Sequence, residues 1–203
     1  MASRTPAPVA ADKRRQILDA AVRVFARQGF HSTRVSDIAD EAGVAYGLVY
    51  HYFRSKDQVL NELFSERWSL LLATIEETEG NGTPPRERLA AVAGFIFDSY
   101  RHDPELMKVI IVEVTRAANS FGRTHLAEIR NAYELIANIV AEGQAEGAFR
   151  DDIDPIYASM SFYGAIEQLL SAWIFDLIPS ASEDFDRARE LVVETICAGL
   201  EPR

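Results

Sequence analysis

The chain has 203 residues, 48% of them hydrophobic and 26% charged, enough for one sizeable core or for a small domain beside a larger one. Its single cysteine, Cys197, excludes an internal disulfide framework and a cysteine-based zinc site, in keeping with a reducing, cytoplasmic setting. Sparse Gly and Pro favour helix, and a formal charge of −10 speaks against a polyanionic partner for the chain as a whole.

In chain order, MASRTPAPVA has too short an apolar run for a signal peptide, so residues 1–11 are read as a disordered arm. Ile17, Ala21, Val24, Phe25 and Gln28 keep helical spacing and predict a first helix over 12–28, stopped by Gly29. Thr33 is the expected N-cap of a short second helix, with Val35, Ile38, Ala39 and Ala42 on its apolar stripe and Gly43 at its end. A third short helix spans 45–52. The SKDQ box at Ser55–Gln58 opens a longer one to Thr78. EGNGTPP, residues 79–85, is the clearest linker, and its prolines suit the start of a helix running to His102. Asp-Pro pairs at 103–104 and 154–155 start two more, the second carrying an apolar run over 156–178. Between them a long helix covers 124–146, and a last one covers 182–198. No stretch alternates long enough for a strand. The expected fold is all-α with about nine helices.

The net charge hides an asymmetry. Residues 1–56 hold nine Lys/Arg against five acids, +4, whereas residues 57–203 hold 12 against 26, −14. A basic head on an acidic body is the pattern of a chain that meets a polyanion at one end. Within that head, the second and third helices meet at a tight Gly43-Val44 turn, a helix-turn-helix. On the third helix, Ala45, Leu48, Val49 and Tyr52 share one face, and Tyr46, Gly47, Tyr50 and His51 share another. The stretch 43–56, GVAYGLVYHYFRSK, contains no acid, as a surface facing phosphates requires. Gly47 costs about 1 kcal/mol against Ala inside a helix. That cost fits a backbone approaching DNA closely, or else a close helix–helix contact. Lys56 stands at a helix N-terminus, where phosphate is favoured.

Residues 33–60, TRVSDIADEAGVAYGLVYHYFRSKDQVL, with RRQILDAAVRVFARQGF at 14–30, resemble the TetR family of bacterial transcriptional regulators. The resemblance implies a helix-turn-helix DNA-binding domain over 12–54, a connecting helix over 55–78, and a ligand-binding and dimerisation domain over 79–203. It implies phosphate contacts from Tyr50 and Lys56, a groove-facing surface of Ala45, Tyr46, Gly47 and His51, and Thr33 and Arg34 near the DNA backbone. Phe53 falls on a core position. Ala45 and Leu48 depart from the family's usual polar residues, so direct base hydrogen bonds should be few.

The body would dimerise and hold an effector. Its most apolar run, 156–178, contains only Glu167 and Asp176 as charges; a mid-span Glu is expensive in lipid, so no membrane span is expected. With the last helix it would form a homodimer contact through Ile166, Leu170, Trp173, Ile174, Val192 and Ile196. A pocket for a small apolar effector would use Phe95, Tyr100, Met107, Phe121, Tyr133, Phe162 and Tyr163 as walls, with Glu113, Arg116 and Glu167 as polar groups. Each of these side chains is also readable as plain core. AEGQAEGAFRDDIDP at 141–155 and FYGAIEQLLSAW at 162–173 resemble the branch that senses fatty acyl-coenzyme A and represses fatty-acid degradation, or mark only the architecture of the seventh and eighth helices, shared with other branches.

The four histidines are scattered, and His125 with Glu128 reads as a surface pair rather than a metal site. No phosphate-cradling Gly loop and no calcium loop occurs. The expectation is therefore no catalytic residue, no metal and no cofactor. The function expected is a cytoplasmic, ligand-responsive repressor released from a palindromic double-stranded operator by its effector, a long-chain acyl-CoA on the finer resemblance. The alternative is a helical small-molecule-binding or enzymatic bundle without a DNA role.

Overall fold

The computed structural model describes residues 7–80, 82–115, 125–179 and 181–202. Through them run nine α-helices: α1 (Ala7–Gln28), α2 (Val35–Ala42), α3 (Tyr46–Tyr52), α4 (Lys56–Glu76), α5 (Pro85–His102), α6 (Pro104–Val109), α7 (Leu126–Ala145), α8 (Pro155–Ile174) and α9 (Ser182–Leu200). A π-helical turn, Ile110–Thr115, follows α6 directly. No strand occurs among the described residues.

Contacts divide the chain into two compact units. One holds the described residues up to Glu66 together with 105–115; the other holds 67–104 and the described residues from His125 onward. This differs from a division by sequence alone, because α6 and the π turn belong to the unit of the N-terminal helices.

In the first unit, α1 buries Ile17, Leu18, Ala21, Val24 and Phe25, and α2 lays Ile38, Ala39 and Ala42 against it. Two ion-pair sets brace α1. Arg23 and Arg27 hold Glu41 at 2.7 and 3.2 Å, and Arg14 and Arg15 engage Glu62 and Glu66 of α4. Gly43 ends α2 at φ 61°, its N–H reaching Ala39 and Asp40 carbonyls, a conformation that only a residue without Cβ adopts cheaply. The chain therefore reverses within three residues and α3 begins at Tyr46. Val49 is the fully buried residue of α3, a burial worth about 2 kcal/mol. Phe53 closes the core behind it, with the Arg14 guanidinium over its ring at 5.4 Å.

In the second unit, α7 packs on α8 and α9 on α5. Ala158, Phe162, Ile166, Leu170 and Trp173 form the buried row of α8. Trp173 sits in an aromatic knot with Phe97, Tyr100 and Phe185, at ring separations of 4.7 to 5.8 Å, and its indole N–H donates to the Pro179 carbonyl at 3.0 Å. Arg88 is buried, its guanidinium held by Thr78 at 3.2 Å and by the Glu142 carboxylate.

Several local expectations shift. Helix α1 extends back to Ala7, into the stretch expected to be a disordered arm. The N-cap of α2 is Arg34, not Thr33: Asp37 accepts from the Arg34 backbone N–H at 2.9 Å, while the Thr33 hydroxyl turns inward to the Gly29 carbonyl at 2.8 Å. The apolar run over 156–178 is not one helix. Helix α8 stops at Ile174 because Asp176 takes a left-handed conformation, φ 53°, and the Leu177 N–H folds back to the Ala172 carbonyl. The Ser55–Gln58 box forms in part, with the Gln58 N–H on Ser55 Oγ at 3.2 Å and the return bond from Gln58 reaching the Arg54 N–H at 2.8 Å.

Candidate nucleic-acid interface

The sequence of α3 splits by face. Val49 is buried and Leu48 and Tyr52 are half-buried, while Ala45, Tyr46, Gly47, Tyr50 and His51 are exposed together. Tyr46 and Tyr50 act as a pair one helical turn apart. Their rings meet edge to face at 5.0 Å, and the Tyr46 hydroxyl donates to the Tyr50 hydroxyl at 3.2 Å. That bond raises the Tyr46 pKa above the ordinary phenol value. A Cβ built on Gly47 meets nothing within 4 Å, so this glycine is not demanded by any neighbouring helix.

Of the acids near this face in sequence, Asp40 and Asp57 are exposed. Glu41 and Asp37 stand near it in sequence, but each is held internally. The side-chain bonds from Arg23 and Arg27 keep the Glu41 carboxyl below its usual range, and the backbone bond from Arg34, then that from Gln28, do the same for Asp37. Arg54 is exposed and forms no ion pair among the described residues. Arg34 is exposed at the start of α2. The face therefore presents tyrosine hydroxyls, an imidazole, a bare backbone and flanking guanidinium groups, a set of hydrogen-bond donors suited to phosphate and to groove edges.

Two expected contact residues lie elsewhere. Thr33 is 2% exposed, so its hydroxyl is not offered to a ligand. Lys56 turns its ammonium back onto the α1–α2 turn, donating to the carbonyls of Phe30 (2.7 Å), His31 (3.0 Å) and Thr33 (2.9 Å) and lying 4.6 Å from the Phe30 ring centre. An ammonium has three donors, and all three are used. Lys56 thus fastens this turn to the start of α4. Sequence gives no sign of this, because the carbonyls it reaches are more than twenty residues away.

The expected effector residues scatter. Tyr133 and Tyr163 come together at 5.4 Å, ring edge to face, with the Glu167 charge close enough to raise both phenols beyond the effect of burial. Phe95 is half-buried. Tyr100 belongs to the aromatic knot and Phe162 is 1% exposed in the core row of α8. Met107 and Glu113 fall in the first unit. Arg116 and Phe121 lie outside the described residues. Among the expected dimer residues, Ile166, Leu170, Trp173 and Val192 are buried within the chain's own core, and Ile174 and Ile196 are half-buried. The exposed apolar surface of the same helices is a different set: Tyr157 and Met160 on α8 and Leu191 on α9. Period-4 spacing marked the helices but not which of two apolar faces points inward.

His125 is not on the surface. It is buried at the start of α7 with Nδ1 3.4 Å from Glu128, whose carbonyl accepts from the Trp68 indole. No group of three or more potential metal ligands assembles among the described residues, and none of the described helices is long and apolar enough to cross a membrane.

The family profile "Bacterial regulatory proteins, tetR family" matches residues 17–63, and "Tetracyclin repressor-like, C-terminal domain" matches residues 85–196. The chain is 33% identical over 186 residues to the fatty acid metabolism regulator protein of Bacillus subtilis, covering 91% of this chain and 94% of that one. It is 31% identical over 156 residues to the transcriptional repressor KstR2 of Mycolicibacterium smegmatis, 76% of this chain and 75% of the relative. Among solved structures, the transcriptional regulator FadR from Bacillus subtilis in complex with stearoyl-CoA superimposes with a TM-score of 0.79 at 30% identity, over 92% of this chain and 99% of that chain.

Proposed function

The chain belongs to the tetR family of bacterial regulatory proteins and is a ligand-responsive DNA-binding repressor, and on that premise we propose how it grips its operator and what releases it. The face of Ala45, Tyr46, Gly47, Tyr50 and His51 enters the major groove. Tyr50, Arg34 and Arg54 take phosphate oxygens, and the bare backbone at Gly47 lets α3 lie close to the bases. The observation that carries this reading is the division of α3. Its only fully buried side chain is Val49, and its whole exposed face is free of acids in a chain of net charge −10.

A homodimer places two such helices on a palindrome. For the joining surface we propose the exposed stripe of α8 and α9 rather than their buried rows: Tyr157, Met160, Gly164 and Gln168, with Leu191 and Gly199. This stripe is uncharged although residues 57–203 carry −14. Working on DNA puts the protein in the cytoplasm.

For the effector we propose a long-chain acyl-CoA. Support comes from the 30%-identical relative solved with stearoyl-CoA and from the second unit's Tyr133–Tyr163–Glu167 group. Within that group Tyr163 is half-buried and meets the Tyr133 ring edge to face at 5.4 Å. The stretch 141–155 of the finer resemblance also has a structural role: Gly143 accommodates Phe149, and Gln144 ties the Arg150 and Ile153 carbonyls, both at 2.8 Å.

Titration of DNA upstream of the protein's own gene tests the reading. Binding should weaken with salt at a slope of about −0.9 per phosphate contacted. Stearoyl-CoA should release the DNA where acetyl-CoA does not. Binding to no fragment, or binding indifferent to salt, would leave the bundle without a DNA role as the better account. Release by neither thioester would end the acyl-CoA assignment alone.

A further inference from the structure

Residues 105–115 have two affiliations. By sequence they lie inside the stretch matched by the C-terminal family profile, 85–196. By contacts they belong to the unit that carries α1, α2 and α3. The point of attachment is specific. From the π-helical turn after α6, the Glu113 carboxylate accepts the backbone N–H of Phe30 at 3.1 Å. Phe30 is buried, follows the end of α1, and its carbonyl is one of the three held by Lys56. The six-residue turn between α1 and α2 is thus gripped by opposite charges, an ammonium on its carbonyls and a carboxylate on its N–H. At its far end stands Arg34, the N-cap of α2.

A cleft of about 210 Å³ lies beside this contact, lined by Phe25, Gly29, Lys108, Val112 and Glu113 among others. Leu106, Met107, Val109, Ile110 and Ile111 of the segment are buried, and beside the cleft it is the Glu113 bond that ties the segment to the turn. The segment's π-helical turn is of a kind that recurs where a helix has been adapted to a function.

We propose that Glu113 is a positioning residue for DNA binding: it latches a segment of the C-terminal domain to the α1–α2 turn and so fixes the helix-turn-helix in the geometry that fits the operator. The inference rests on the DNA-binding reading above and adds a residue that ties 105–115 to the α1–α2 turn within the first unit. Glu113 acts through Phe30 and need not touch DNA. Movement of 105–115 would be felt first at this turn, which leads into α2 and hence into α3.

The test compares the full-length unaltered protein with Glu113→Ala and Glu113→Gln. Glutamine keeps an acceptor oxygen at the same reach, so it should rescue; alanine leaves the buried Phe30 amide without its partner. By hydrogen–deuterium exchange, the Phe30 amide should exchange at least about fivefold faster in the alanine variant and near the unaltered rate in the glutamine variant. Operator affinity should fall by about fivefold to tenfold in Glu113→Ala and recover to within about twofold in Glu113→Gln. Unchanged Phe30 exchange in the alanine variant overturns the latch. Unchanged operator affinity with faster exchange overturns the positioning role, as does a glutamine variant as impaired as alanine. If the unaltered protein binds no operator, the DNA-binding reading fails and the positioning role falls with it, while the exchange measurement still decides whether the latch exists.

Discussion

Helices α3 and α8 use the same device toward different neighbours. Each carries an exposed glycine, Gly47 at the second position of α3 and Gly164 in the middle of α8, and at neither does a built Cβ meet a neighbouring atom within 4 Å. Each flanks that glycine with exposed large side chains, Tyr46 and Tyr50 on α3, Tyr157 and Met160 on α8. What differs is charge. The α3 face sits in a basic head with exposed guanidinium groups close by in sequence, whereas the α8 face is a neutral strip on a strongly acidic body. A helix glycine that nothing inside the chain requires points to a close approach from outside. The surrounding charge then says whether the visitor is a polyanion or an uncharged copy of the same surface.

Gly47→Leu breaks this comparison most sharply, because it should move folding and binding in opposite directions. In a helix interior such a replacement gains about 1 kcal/mol of propensity and in the first turn, where Gly47 stands, less; the site is open, so the melting temperature should hold or rise slightly. Operator affinity should nonetheless fall about a hundredfold, the equivalent of a 3 kcal/mol overpacking penalty. Fluorescence anisotropy with labelled operator reads the second effect and differential scanning calorimetry the first. Retained affinity would remove α3 from the groove.

The matching change, Gly164→Leu, should leave the melting of the protomer unharmed and weaken self-association at least about tenfold, 1.4 kcal/mol, by sedimentation equilibrium. An undisturbed dimer would put the joining surface elsewhere. Gly143 supplies the contrast that makes both readings meaningful. A Cβ there lies 2.4 Å from a Phe149 ring carbon and 3.1 Å from Pro85, so its smallness is demanded from within. Gly143→Ala should therefore destabilise the fold by about 1–2 kcal/mol in urea denaturation despite its better helix propensity. Neutrality there would mean that Phe149 is free to move aside.

The helices were legible because local rules set them: period-4 apolar rows, Gly43 after α2, Asp154 and Pro155 before α8. The two-faced character of α3 was legible for the same reason, since seven residues at helical spacing have only one way to be half-buried. What escaped was everything decided over distance. Lys56 looked like a phosphate ligand until its ammonium met three carbonyls of a turn more than twenty residues back. Glu113 looked like a pocket acid, though it reaches across 83 positions to an amide near the head's first turn. On α8, Ile166 and Tyr157 are both apolar at plausible spacing; which of the two faces α7 and α9 depends on partners that a single helix does not encode. The Thr33 residue type suits capping, but its hydroxyl has a carbonyl closer at hand at Gly29.

The smallest effect concerns how two tyrosines share one role. Both are half exposed or nearly so, at 53% and 45%, and their hydroxyls lie 3.2 Å apart. Each hydroxyl has one proton. With Tyr46 donating to Tyr50, the Tyr50 proton is left to give to a phosphate oxygen, and accepting a bond strengthens it as a donor. Tyr50→Phe should then cost the phosphate bond, about fivefold in operator affinity. Tyr46→Phe should cost only the polarising bond, about twofold, with no change in the salt slope. The decisive measurement is the double variant. If Tyr46 works only through Tyr50, removing both hydroxyls should be no worse than removing that of Tyr50 alone. Two independent, additive losses would instead give each tyrosine its own contact with the DNA. The recognition face would then hold one more polar reader than Ala45 and Leu48 led us to expect.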